Sequence, residues 1–255
     1  MLNNVKATTP SAESPSRAVT DRLLSDLRRD GLRPGGWARF LTNASVQSCR
    51  DAAERPHALL QVTALHAGFA AGRVERGRAG LAWIGFSWAL TVAHLGLLEG
   101  RGGVGVADLL TLTRANLPAV APRARAAVAA AAVATDVVDG PLARWSGTTT
   151  PFGRDADSLA DAVFWTWYAS RHEPSRLVRF LIWTAWGMPV VAVTGLSIAR
   201  GRMVEPPRPR CLRPAATLQA VLLARALRRR AQRPARGGRG DVDERTGESP
   251  QVPAG

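Results

Sequence analysis

The chain has 255 residues, with 34 Lys and Arg against 20 Asp and Glu and a formal net charge of +14. That length suits one domain, or one membrane bundle with tails, rather than a multidomain machine. Every basic residue but Lys6 is arginine, and with the abundance of Ala, Gly and Pro this points to GC-rich coding, so part of the charge reflects composition rather than function. The two cysteines, Cys49 and Cys211, lie far apart in sequence, which excludes a disulfide scaffold and a zinc ribbon.

In chain order, residues 1–16 are polar, without the apolar core of a secretory signal, and read as disordered. Residues 17–32 place Val19, Leu23, Leu24 and Leu27 at helical spacing. They predict an amphipathic helix that lies on the membrane surface or packs on the protein. The segment 17–75 as a whole reads as amphipathic and juxtamembrane helices. Residues 79–98 and 180–199 are two uncharged runs of 20 residues, each carrying Trp. A hydrocarbon core of about 30 Å needs roughly 20 apolar residues of helix, and both runs fit. Three weaker stretches, 104–122, 126–138 and 158–170, are short and hold or border charges, which a bundle tolerates when the charges face its interior. Pro122 with Arg123 and Arg125 predicts a turn between the first two of these. The stretch 214–227 is marginal, because Arg225 interrupts it. The basic run Arg228–Arg230 opens a polar, disordered tail over 228–255 and favours the cytoplasmic side. No recognition module accompanies that run, which argues against nucleic acid.

Together these elements predict an all-α integral-membrane bundle of about five to six membrane helices over 79–227, with an amphipathic N-terminal helix and disordered tails. The segment that carries chemistry is 135–165. Asp136 and Asp139 are three apart, Asp157 and Asp161 four apart, and on helices each pair shares a face. Gly140, Pro141, Gly147, Pro151 and Gly153 put a turn between the pairs, so two helices can bring four carboxylates together. Four such groups repel and are expensive to desolvate unless something cationic sits among them. Oxygen-only ligands suit Mg²⁺ or Mn²⁺, and two divalent ions would balance four carboxylates. A pair of metals is a known clamp for a phosphoryl group. The residues alone thus suggest metal-dependent phosphate chemistry at a membrane.

The full spacing is Asp136-x2-Asp139-Gly140-x2-Ala143-Arg144-x8-Gly153-x3-Asp157-x3-Asp161, eight fixed residues across 26. It resembles, position for position, the signature of the CDP-alcohol phosphatidyltransferase family. Residues 109–114, LLTLTR, resemble the Thr-x-x-Arg start of the family's first motif helix, and 206–222 the basic loop and penultimate helix of some members. The resemblance implies transfer of a phosphatidyl-type group from a CDP-linked lipid to an alcohol with release of CMP. It implies that Asp136, Asp139, Asp157 and Asp161 hold two divalent ions, Mg²⁺ or Mn²⁺, and that Asp161 also acts as the general base. Gly140 would let the backbone approach the nucleotide, and Arg144 would pair with its phosphates. Ala143 and Gly153 would keep the pocket shallow, while Thr150 and Thr111 would line it. Family members are often homodimers, and the site would face the cytoplasm from the plasma membrane.

This chain departs from the six-span family pattern. Only 21 residues separate Arg114 from Asp136, too few for two full crossings at about 1.5 Å per residue, and a sixth C-terminal span is missing. The run 79–98 takes the missing place or is an extra helix. A phosphorylated acceptor would need added basic residues, for which Arg200, Arg202, Arg210 and Arg213 are candidates. His66 and His94 read as core histidines, and Asp155, off the motif, as a loop residue. Two other readings remain open at this level: a non-catalytic membrane protein with a structural metal site, and a CDP-lipid pyrophosphatase.

Overall fold

A computed structural model describes residues 15–72, 77–121, 125–204 and 213–232. The expected disorder of 1–14 and 233–255, the turn at Pro122 and Arg123, and Arg210 lie outside the described residues. The described chain is all helical. It comprises α1 (Pro15–Arg29), α2 (Pro34–Ala53), α3 (Pro56–Gly72), α4 (Arg78–Ala93), α5 (Val106–Val120), α6 (Arg125–Trp145), α7 (Pro151–His172), α8 (Arg176–Arg200) and α9 (Arg213–Ala231), with a 3-10 turn, Leu95–Leu98, after α4.

Two of these helices are long and apolar enough to cross a membrane: Ala126–Trp145 of α6 and Arg176–Arg200 of α8. On α8 the large apolar side chains Leu177, Phe180, Trp183, Met188 and Val191 are exposed. Exposed apolar surface of this kind suits contact with lipid or with another protein. The run 126–138 therefore belongs to a longer helix than its apolar residues indicate. It continues through Asp136, Asp139, Gly140 and Pro141 to Trp145, which a membrane bundle permits where neighbouring helices satisfy the polar groups. The run 79–98 is shorter than expected. Its helix ends at Ala93, and the chain tightens into the 3-10 turn, where Gly96 abuts the Asp51 carboxylate too closely to admit a Cβ.

Contacts fix the directions of the helices. Thr111 meets Asp139 and Arg114 meets Asp136, so α5 and α6 run antiparallel. Asp108 lies against Gly153 and Arg114 against Asp161, so α5 and α7 run parallel. Gln219 reaches Asp161 while Arg225 reaches Glu173, so α9 runs parallel to α7. The N-terminal ends of α5, α7 and α9 thus share one end of the bundle.

Two apolar cores hold this arrangement. Ala126, Val128, Ala129 and Ala132 of α6 pack with Phe164 and Trp165 of α7, Ile182 of α8 and Leu222 of α9. Small residues on α6 let the backbones approach closely. Ala52, Val62, Leu95, Leu98, Leu112 and Phe152 form the second core, so α5 and α7 join α2 and α3 to the rest. The amphipathic α1 packs on the protein: Leu24 and Leu27 are buried, Asp21 accepts from the Met203 N–H, and Arg28 donates to the Arg200 carbonyl.

Candidate active site

The N-terminal turn of α5 is set by Asp108, whose Oδ2 accepts the Gly105 N–H at 2.7 Å. From there Asp108, Thr111 and Arg114 follow at intervals of three, and all three are buried. This stripe faces α6 and α7, the two helices that carry the eight-residue motif. α7 starts at Pro151 behind the N-cap Thr150, whose Oγ1 accepts the Gly153 N–H at 3.0 Å. The turn between the motif helices is confined to residues 146–150, and Asp155 stands in the first turns of α7 rather than in a loop.

All four motif carboxylates converge on one side chain. The Arg114 guanidinium has no exposed surface. Its Nη1 lies 3.1 Å from Asp139 Oδ2 and 3.4 Å from Asp136 Oδ1, and its Nη2 pairs with Asp157 Oδ1. Its Nε lies 3.0 Å from Asp161 Oδ1, but without hydrogen-bond geometry, so both buried atoms stay unsatisfied. Thr111 Oγ1 stands 3.1 Å from Asp139 Oδ2, where its proton can serve that carboxylate or the Ala107 carbonyl.

The carboxylates divide three to one. Asp136, Asp139 and Asp157 each offer an oxygen within 4.8 Å of the others. Asp161 lies outside that set and meets Arg114 at Nε, with its Oδ2 accepting from Gln219 Nε2 at 3.4 Å. The three-oxygen set fits a hard divalent cation in donor type, and the unsatisfied Asp161 Oδ1 is a fourth oxygen nearby.

Beside the cluster opens a cavity of about 450 Å³. It is lined by Thr111, Gly140, Ala143, Arg144, Thr150 and Gly153, together with Asp139 and Asp157. The expected substrate-binding residues are therefore all in one place. Asp136 and Asp161 do not line the cavity and sit behind it against Arg114. Gly153 has a specific reason to lack a side chain: a Cβ there would stand 2.7 Å from Asp108 Oδ1. Its motif position thus makes room for a fifth carboxylate as well as lining the cavity. Thr150 has a helix-capping role in addition to lining the cavity.

Sequence reasoning missed Asp108, Arg114 as the common partner of the carboxylates, Arg154 in the cavity wall, Gln219, and Arg101, which donates to the Thr148 carbonyl at 2.9 Å and fixes the turn. The period of three linking Asp108, Thr111 and Arg114 was the available signal for the first two. Nothing local marks Gln219. His66 is a core histidine, as expected, held by the Val62 carbonyl and Ser87.

At the far end of α7, Glu173 is buried between Arg225 and Arg229 of α9. Burial pushes its carboxyl up, but Arg225, the Ser175 N–H and Arg229 together hold it below the ordinary range. Arg228–Arg230 close the same end of α9, so that run and the cavity lie at opposite ends of the helix.

Residues 106–229 match the sequence profile of the CDP-alcohol phosphatidyltransferase family. No curated protein and no solved structure matches the chain. Members of this family are integral membrane proteins that act on CDP-alcohol substrates, typically with a divalent metal. From α5 to α9, the chain carries a CDP-alcohol phosphatidyltransferase domain.

Proposed function

We propose that the protein transfers a phosphatidyl group from a CDP-linked lipid, such as CDP-diacylglycerol, to an alcohol. The observation that carries this reading is the cavity itself. The glycines, the alanine, Arg144 and two of the motif carboxylates line one cavity at the end of an apolar bundle. A carboxylate cluster alone would suit many metal sites, whereas the added Gly140, Ala143 and Arg144 suit a nucleotide with its pyrophosphate. Gly140 makes room for the Arg144 guanidinium, whose Nη1 stands 3.4 Å from where a Cβ would lie, and that planar fork can pair with phosphate oxygens in the cavity.

In the transfer, the acceptor hydroxyl oxygen bonds to the lipid-side phosphorus. The bond from that phosphorus to the bridging oxygen breaks, and CMP leaves with that oxygen. The hydroxyl proton would pass to Asp161, a step that needs Arg114 to move aside because Asp161 stands behind the cavity. Asp136, Asp139, Asp157 and Asp161 would hold two Mg²⁺ or Mn²⁺ ions, which polarise the pyrophosphate and stabilise charge on departing CMP. Phospholipid synthesis at the cell membrane is the role this chemistry serves, with the cavity on the cytoplasmic side among Arg101, Arg144, Arg154, Arg200 and Arg202. If the acceptor is itself phosphorylated, Arg200, Arg202, Arg210 and Arg213 are the residues to bind it. Transfer unchanged in both Arg210→Ala and Arg213→Ala would exclude that acceptor class.

One observation favours a second reading. Arg114 contacts all four carboxylates, an arrangement that a structural metal site without catalysis would also use. The test is CMP release by detergent-solubilised protein from CDP-diacylglycerol with Mg²⁺ or Mn²⁺, across glycerol 3-phosphate, inositol, inositol 1-phosphate, serine and phosphatidylglycerol. Release that depends on one alcohol names the acceptor. Release independent of any alcohol means a CDP-lipid pyrophosphatase, and no release from folded, metal-bound protein favours the structural reading.

A further inference from the structure

The three oxygens best placed for a cation are already in contact with one. Asp136, Asp139 and Asp157 approach within 4.8 Å of one another, and these are the carboxylates that the two Nη atoms of Arg114 contact. The guanidinium is fully buried, and its Nε and the facing Asp161 Oδ1 are left without a hydrogen bond. Four carboxylates and one guanidinium carry a formal charge of about −3, and burying that much like charge is costly. A single divalent ion brings the sum to about −1 and a second to about +1, a sign that suits an anionic pyrophosphate.

We propose that Arg114 is a tethered counter-cation, a positioning residue that holds the carboxylates together and competes with divalent metal for the same oxygens. Metal entry then requires the guanidinium to give up part of its contacts with Asp136, Asp139 and Asp157. This inference rests on the reading that the carboxylates bind a divalent ion. It predicts opposite signs for two properties. Removing the charge weakens the protein when no metal is supplied, because the carboxylates lose their partner. Yet the same change strengthens metal binding, because a competitor is gone. A residue that merely packed α5 against α6 and α7 would weaken both when removed.

The test is Mn²⁺ binding, read from the electron paramagnetic resonance signal of free Mn²⁺, on EDTA-treated, detergent-solubilised full chain. Thermal unfolding with and without Mn²⁺ accompanies it. Arg114→Gln should bind Mn²⁺ about tenfold tighter than wild type, as loss of a unit charge in direct contact implies. It should also unfold at a lower temperature in EDTA and gain more from Mn²⁺. Arg114→Lys keeps the charge and loses the fork. It should stay folded in EDTA and bind Mn²⁺ more weakly than Arg114→Gln. Should Arg114→Gln fold only with Mn²⁺, a Lys variant that is folded in EDTA supports the inference, and one that is not overturns it. Wild type that binds Mn²⁺ with Arg114→Gln binding no tighter overturns this inference alone. No Mn²⁺ binding by either protein overturns the metal-site reading as well.

Discussion

At the residue scale, Gly153 and Asp108 are coupled by their close approach in the cavity wall. A methyl at 153 would stand 2.7 Å from Asp108 Oδ1, on a short side chain already tied to the Gly105 N–H. Gly153→Ala should therefore destabilise the protein by about 1–3 kcal/mol, the usual cost of overpacking. Asp108→Ala should cost about 1 kcal/mol through the lost helix-terminal hydrogen bond. Because the second change removes the atom that the first collides with, the double variant should be less destabilised than the sum. Thermal unfolding of the four proteins measures the coupling. The spacing of the four motif aspartates was fully legible in the sequence, because i, i+3 and i, i+4 carboxylates share a helix face wherever that helix lies. Arg114 was legible as a residue but not as their partner. Its four contacts run to two other helices, and no local pattern encodes which charges meet across a bundle.

At the element scale, α9 is held at both ends of its contact with α7, by Gln219 on Asp161 and by Arg225 and Arg229 on Glu173. Glu173→Gln should cost about 1–3 kcal/mol, the range for hydrogen bonds to a charged group, with the lower part expected because both arginines keep access to solvent. The Glu173 carboxyl titrates lower in the folded protein than in the unfolded chain, where its value is about 4.3. Its contribution is therefore complete above that value and is lost as pH falls through the lower folded value. Acidification below about pH 4.3 should lower the unfolding temperature of wild type more than that of Glu173→Gln. α1 offers a second test. Gly201 ends α8 with φ of +64°, and a Cβ there would lie 3.3 Å from the Ser25 backbone. Gly201→Ala should cost about 1–2 kcal/mol from the left-handed conformation alone and loosen α1, seen as faster amide exchange over α1. The amphipathic pattern of α1 was readable from its leucines. What it packs on was not, since a membrane surface and a protein groove select the same pattern. The extent of α6 was hidden for the opposite reason. Asp136 and Asp139 end its apolar run, but Arg114 compensates them, so the helix continues to Trp145.

At the scale of the whole molecule, the helix directions give the bundle one working end. The cavity, the turn 146–150, and the junction of α1 with the loop after α8 lie there, while Glu173 and Arg228–Arg230 lie at the other. A tail that is cytoplasmic by virtue of Arg228–Arg230 would thus place the cavity on the outer side, the reverse of the proposed orientation. Exposed Cys49 on α2 allows a direct check, in a background where Cys211 is replaced by serine. α2 packs on the 3-10 turn near the cavity end, through the Asp51 carboxylate against Gly96. A membrane-impermeant maleimide should leave Cys49 unlabelled in intact cells and label it after permeabilisation. The bundle class was legible because uncharged runs of membrane length survive in an otherwise charged chain. The number and order of crossings was not, because helices as short as α4 and α5 take their length from what they pack against.

One comparison decides whether the motif cluster performs group transfer with Asp161 as base. Wild type and Asp161→Asn are measured side by side for alcohol-dependent CMP release, with Mn²⁺ binding and unfolding temperature recorded on the same samples. Asp161→Asn should stay folded and still bind Mn²⁺ while transfer falls by about 10² or more, the scale of a lost general base. Transfer persisting within a fewfold of wild type in folded, Mn²⁺-bound Asp161→Asn would contradict Asp161 as the base.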